Sequence, residues 1–219
     1  MLNKFFRLTA WIIFAIALFL GVLILVATFS DYKPEEFATL RTYENPDILY
    51  PGQPLDVMIW NIGYSGLDAS MDFFYDGGKQ VRPSKENVTE NLSAVKSFLL
   101  NNDSIEFFLL QEVDITSRRS YGINQYDSIR FLMDDYESFK AVNYDVFFVP
   151  LPVKNPMGRV LSGLQTLSRF KPVEARRYSF PGNYDWPKSL FMLDRCFLVT
   201  RYPLNNGKHL LIINTHNSA

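Results

Sequence analysis

Residues 105–114 read I-E-F-F-L-L-Q-E-V-D. Phe107, Phe108, Leu109 and Leu110 run without a break, the pattern of a strand buried on both faces. The run stops on Gln111 and Glu112. A strand that ends in a carboxylate delivers charge to the rim of a sheet, where the ligands of open α/β sheets gather. Glu112 is therefore the first candidate for a metal ligand, although a lone Glu just past a strand is more often a solvated loop acid.

Residues 56–63 read D-V-M-I-W-N-I-G, a second apolar run ending on a polar amide, Asn61. Between the two runs, residues 84–100 place Val88, Leu92, Val95 and Leu99 at helical steps, so they form one apolar stripe. Strand, helix, strand is a βαβ unit, which lays its strands parallel and ends them on one rim. Asn61 and Glu112 are thus expected to face a shared cleft.

W-N-I-G at residues 60–63 followed by L-L-Q-E-V-D at residues 109–114 resembles the endonuclease/exonuclease/phosphatase family, whose fold is deoxyribonuclease-like. G-L-Q-T-L-S-R at residues 163–169 is similar to that family's Leu-Ser-Arg strand. L-L-I-I-N-T-H at residues 210–216 is similar to its strand ending in Thr-His. The motifs occur in the family's order and cover residues 55–216. The resemblance implies a layered α/β sandwich of two packed mixed sheets.

The same resemblance implies hydrolysis of a phosphate ester with a divalent metal, magnesium or manganese. Magnesium keeps several waters and needs only one or two carboxylates plus the substrate, a role Glu112 fits. Asn61 fits as an amide that orients groups or touches phosphate without adding charge. His216 is placed to donate to the phosphate or to protonate the leaving group. Arg169, at the end of its strand, either reaches an anionic substrate or pins a neighbouring loop. His209 reads as surface.

Family members also carry a Gly-Asp-x-Asn turn and a late Asp-His pair. Neither occurs in these 219 residues, and Asn217 stands where many members have an apolar residue. The chain is therefore expected to be the N-terminal part of a longer protein, with a sandwich incomplete at the C-terminus, and to show no appreciable turnover alone. The alternative is a non-catalytic, membrane-tethered binding domain on the same scaffold.

Residues 8–29 contain no charged side chain and are dominated by Ile, Leu, Phe, Val and Ala. As a helix they rise about 33 Å, enough to cross the hydrocarbon of a bilayer. Lys4 and Arg7 precede the run, which predicts a cytoplasmic N-terminus and an extracytoplasmic domain. The exit at residues 26–30 is a poor small-x-small match, so residues 1–30 read as a retained signal anchor rather than a cleaved signal. Residues 31–54, with Pro34, Pro46, Pro51 and Pro54, read as a linker, and residues 55–219 as the domain.

The net charge of −1 gives no bulk attraction to nucleic acid, which leaves a nucleic-acid substrate open without favouring it. The single cysteine, Cys196, lies in an apolar run; it reads as packing and cannot form a disulfide within the chain. Residues 64–83 form a long insertion that leaves the same rim as Asn61, either walling the cleft or decorating the surface. Arg118 and Arg119 are placed to hold phosphate oxygens, but a solvated basic turn is the commoner reading. Residues 125–136 read as a helix. Residues 139–150, 163–169, 173–180, 190–202 and 208–215 read as strands, the last two joined through Asn205-Asn206-Gly207 as a hairpin. Substrate and oligomeric state are not legible.

Overall fold

The computed structural model describes residues 2–182 and 184–217. A long helix, α1 (Leu2–Phe29), is followed by β1 (Phe37–Thr42) and β2 (Val57–Asn61). Then come α2 (Lys85–Asn101), β3 (Phe107–Asp114), α3 (Gln125–Leu132), β4 (Glu137–Val149) and β5 (Gly158–Ser168). The chain continues through β6 (Glu174–Ser179), β7 (Cys196–Pro203) and β8 (His209–Thr215). The strands form two four-stranded sheets, in the orders β2-β3-β5-β4 and β1-β6-β7-β8. The expected two-sheet α/β sandwich is present. Only the first sheet is mixed, because β2 and β3 alone run parallel; the second is antiparallel throughout.

The βαβ unit forms as its periodicity predicts. Ser84 caps α2 by accepting from the Asn87 backbone N–H, satisfying one of the free donors at the helix start. Val88, Leu92, Val95 and Leu99 are all buried. Val95 and Leu99 join Ile129 of α3 and Met133 against the outer face of the first sheet, where Phe108, Leu110 and Leu167 wait. The inner face packs on the second sheet: Phe139, Ala141 and Leu164 meet Ala175, Cys196 and Leu198. Cys196 is buried as expected, and burial pushes its thiol up to about 11. Phe107 stacks edge-on to Tyr202 at the far end of the seam.

The linker reading of residues 31–54 is overturned. Phe37–Thr42 pairs antiparallel with β6, and Leu49 bridges to Leu204 and is buried. The prolines flank short extended pieces that add an edge strand, a position that tolerates their missing donors. Arg177 of β6, also buried, fastens this segment by donating to the carbonyls of Val142, Glu35 and Asp194.

Smaller boundaries also shift. The helix over 125–136 stops at Leu132, and β5 starts five residues before the expected Gly163, at Gly158. The run expected as a strand from 190 begins instead as a 3₁₀ turn, Lys188–Phe191, with the strand proper from Cys196. In β2, an edge strand, Val57 and Ile59 are exposed.

Of the described residues, Lys4–Phe29 form a helix long and apolar enough to cross a membrane. Its last turn rests on the domain. Ala27 is buried, and the Trp186 indole N–H donates to Thr28 Oγ1 at 3.2 Å.

Candidate active site

The parallel pairing sets Asn61 directly beside Gln111, so both strands end on one rim. Glu112 then departs from regular strand geometry. The β3–β5 register slips between Leu110 and Val113, and Glu112 takes φ +54°. This bulge puts two residues of β3 opposite one of β5 and re-aims the Glu112 side chain. A non-glycine residue in the left-handed region costs about 1–2 kcal/mol, a strain seen mostly where side-chain placement matters. Gly163 lies opposite the bulge, where a Cβ would come within 2.3 Å of the Ala141 carbonyl oxygen. That close approach accounts for the glycine of the G-L-Q-T-L-S-R stretch.

Glu112 meets the two partners the sequence proposed for it. Asn61 Nδ2 donates to Glu112 Oε1 at 2.9 Å. His216 Nε2 lies 3.4 Å from Asn61 Nδ2 and 3.7 Å from Glu112 Oε1. Asn61 is itself held: its Oδ1 accepts from the Gly63 backbone N–H at 2.9 Å, in a turn where Gly63, Tyr64 and Ser65 all have positive φ. His216 is tethered through its carbonyl, which accepts from Arg195. Its Nδ1 is buried and without a hydrogen-bond partner among the described residues.

Glu112 and His216 line a cavity of about 530 Å³. Arg119 and Arg195 reach it beside Glu112 and His216. The reading of Arg119 as part of a solvated turn is corrected: it is 6% exposed and pairs with the fully buried Asp114 at 2.9 Å. Its Nε also donates to Asp114, its Nη2 donates to Ser162, and its guanidinium lies 4.0 Å from the Tyr64 ring centroid. Burial works against its charge, but the charge and hydrogen bonds of Asp114, with Glu112 and Tyr64, together hold its pKa above the ordinary arginine value. Nη1 has no partner among the described residues, so a fixed cationic donor remains for a ligand. Arg118 instead donates to the Pro156 carbonyl.

The insertion walls this cavity, with Leu67, Phe73 and Tyr75 in its lining. Asp68 does not take part. Hydrogen bonds from Asn91 and Ser70 hold its carboxyl below the usual range and fasten the loop to α2.

Arg169 belongs elsewhere, which corrects its reading as a substrate contact. β5 runs antiparallel to β3, and Ser168 pairs with Phe107 at the start of β3. Arg169 therefore stands at the rim opposite Glu112. It donates to the Asp103 carbonyl and stacks on Tyr136, the loop-pinning alternative.

Sequence reasoning passed over Arg195 and Tyr144. Tyr144 lies in an alternating strand, and Arg195 directly precedes an apolar run; neither position carries a local signal. Burial pushes the Tyr144 phenol up to about 12, so it stays neutral in the cavity wall.

Among the described residues, no group of three or more His, Cys, Asp or Glu converges to hold a metal ion. A site built wholly from protein ligands is thus not formed by these residues. The donor set fits a hard divalent cation that keeps water and shares its coordination with a substrate, since Glu112 lines the cavity and its Oε2 has no protein partner among the described residues.

No family model and no curated protein matches the chain. Among solved structures, it is similar to one described as the crystal structure of endonuclease/exonuclease/phosphatase from Beutenbergia cavernae DSM 12333. That match has a TM-score of 0.46 and 20% sequence identity, and it covers 75% of this chain. The chain spans 38% of the length of that structure.

Proposed function

We propose that this chain forms a metal-binding site for phosphate-ester hydrolysis, carried on a membrane anchor. The observation behind this reading is that Asn61 holds Glu112 and His216 together, and that these two line a cavity that also holds two guanidiniums. A phosphate ester resists attack because its oxygens repel nucleophiles. Magnesium or manganese, when bound, supplies charge neutralisation at the phosphoryl oxygens. Glu112 is the residue to hold it. Asn61 fixes the carboxylate and offers its amide toward a phosphate oxygen. His216 Nε2 faces the same space and is placed to pass a proton to a leaving oxygen. Arg119 and Arg195 balance the charge of the bound ester.

Lys4 and Arg7 in the first turns of α1, ahead of its uncharged run, favour a cytoplasmic N-terminus, with the domain on the other side of the membrane. The second reading, a tethered binding domain without turnover, draws on the single carboxylate at the site.

Two measurements test these readings. Manganese binding to the full chain, followed by electron paramagnetic resonance, should show one site that Glu112→Gln removes. Hydrolysis of bis-p-nitrophenyl phosphate and p-nitrophenyl phosphate with magnesium then separates the alternatives. Turnover abolished by Glu112→Gln supports the enzyme, and binding without turnover supports the binding domain. Manganese binding unchanged in Glu112→Gln would overturn the site.

A further inference from the structure

The cavity is lined by two groups of residues of different chemistry. One is Glu112, His216, Arg119 and Arg195. The other is Phe73, Tyr144, Val149, Leu151, Met157 and Phe191. Val149 and Met157 belong to a buried cluster of their own, with Phe73, Tyr144 and Phe191 packed against it, so this wall is preformed. About 530 Å³ falls within the size range of small-molecule sites. A phosphate alone would leave the apolar wall facing water, which has few polar partners there.

The apolar wall lies beside the anchor. α1 contacts both β4 and the Lys188–Phe191 turn. Those elements supply Tyr144, Val149 and Phe191 to the cavity. At the exit of α1, Ala27 is buried and Thr28 accepts from the Trp186 indole N–H just before that turn, so the exit of the anchor lies against this side of the domain. Leu151 and Val153, in the loop that follows β4, are 48% and 83% exposed, an apolar surface next to the cavity.

Building on the phosphoesterase reading above, we propose that the ligand is a phosphate ester of a long-chain apolar alcohol, drawn from the bilayer that α1 enters. Its hydrocarbon packs on Phe73, Val149, Met157 and Phe191, and its phosphate meets Arg119 Nη1 and Arg195 beside Glu112. Charge complementarity with one group and apolar contact with the other select this class over a nucleotide. A nucleotide would bring a polar sugar and base into a wall with few partners for them.

The experiment uses the full chain in phosphatidylcholine vesicles containing a long-chain alkyl phosphate with a diazirine in its tail. After photolysis, adducts are mapped by mass spectrometry. Label on residues 144–157 and 191–193, in addition to α1, is expected. It should fall about tenfold in Val149→Trp, which fills the cavity, while labelling of α1 stays constant. The milder Met157→Phe should lower it in the same direction, and manganese binding by each variant reports a folded site. A diazirine-tailed alcohol without phosphate should label α1 but not the cavity.

Cavity peptides left unlabelled, or labelled equally in variants that still bind manganese, would overturn the lipid assignment and leave the metal site standing. Displacement of the cavity label by adenosine monophosphate but not by dodecyl phosphate would likewise overturn it. Loss of manganese dependence on Glu112 would instead sink the underlying phosphoesterase reading.

Discussion

Gln111 Nε2 donates to Asn214 Oδ1 at 2.8 Å across the buried seam between the two sheets. Each residue stands just before a residue of the candidate site: Gln111 precedes Glu112, and Asn214 lies two residues before His216. Asn214 Nδ2 donates onward to the carbonyls of Leu110 and Gln165. One amide cluster therefore fixes how far the carboxylate of one sheet lies from the imidazole of the other.

Asn214→Ala should lower stability by about 2–4 kcal/mol, since it strips several buried hydrogen bonds and leaves their partners unsatisfied. It should also weaken manganese binding, although residue 214 touches no ligand. Urea denaturation with manganese titration checks both. Full stability in Asn214→Ala would mean the cluster does not hold the sheets in register.

The Asp114–Arg119 pair makes a sharper case. Asp114→Ala should cost about 3–5 kcal/mol, because Arg119 would then be buried without its counter-charge. Arg119→Met should cost less, and the double variant should recover part of the loss. A double-mutant cycle by chemical denaturation measures the coupling. Equal, additive losses would mean that the pair is not coupled.

Glu112 holds a left-handed backbone conformation for the sake of where its side chain points. Glu112→Gly should therefore raise stability by about 0.5–1 kcal/mol, even as manganese binding disappears. Glu112→Gln, which keeps the strain, should leave stability nearly unchanged. Thermal melts of the two variants separate strain from ligand loss.

Asp194 introduces a pH dependence. Burial, then the charges of Asp31 and Asp145, outweigh Arg177 and lift its carboxyl from the ordinary 3.8 to about 6. The folded state holds this proton more tightly than the unfolded one. The stabilisation is therefore complete below pH 3.8 and is lost as pH rises to about 6. Asp194→Asn should flatten the melting temperature across that window and raise it at neutral pH. Calorimetry between pH 3.5 and 7 reads the difference, and an unchanged slope would exclude Asp194 as its source.

Much of this architecture is carried by local pattern. The unbroken run at Phe107–Leu110, the stripe from Val88 to Leu99 and the stop on Gln111-Glu112 determine a parallel βαβ unit, because burial period and strand direction are properties of neighbouring residues. That unit alone brings Asn61 to Glu112. The helix at residues 8–29 follows from composition in the same way.

What depends on chain paths far apart in sequence was decided only by the tertiary structure. Arg119 and Arg169 look alike as exposed basic residues at the ends of elements. The fold buries one against Asp114 in the cavity and carries the other to the opposite rim. Residues 37–42 read as linker because an edge strand needs little hydrophobicity; only the partner β6 makes them a strand. The bulge at Glu112 and the apolar wall of the cavity arise from register and from loops meeting across the sandwich. Such contacts are fixed by packing between distant segments, on which the order of neighbouring side chains bears only weakly.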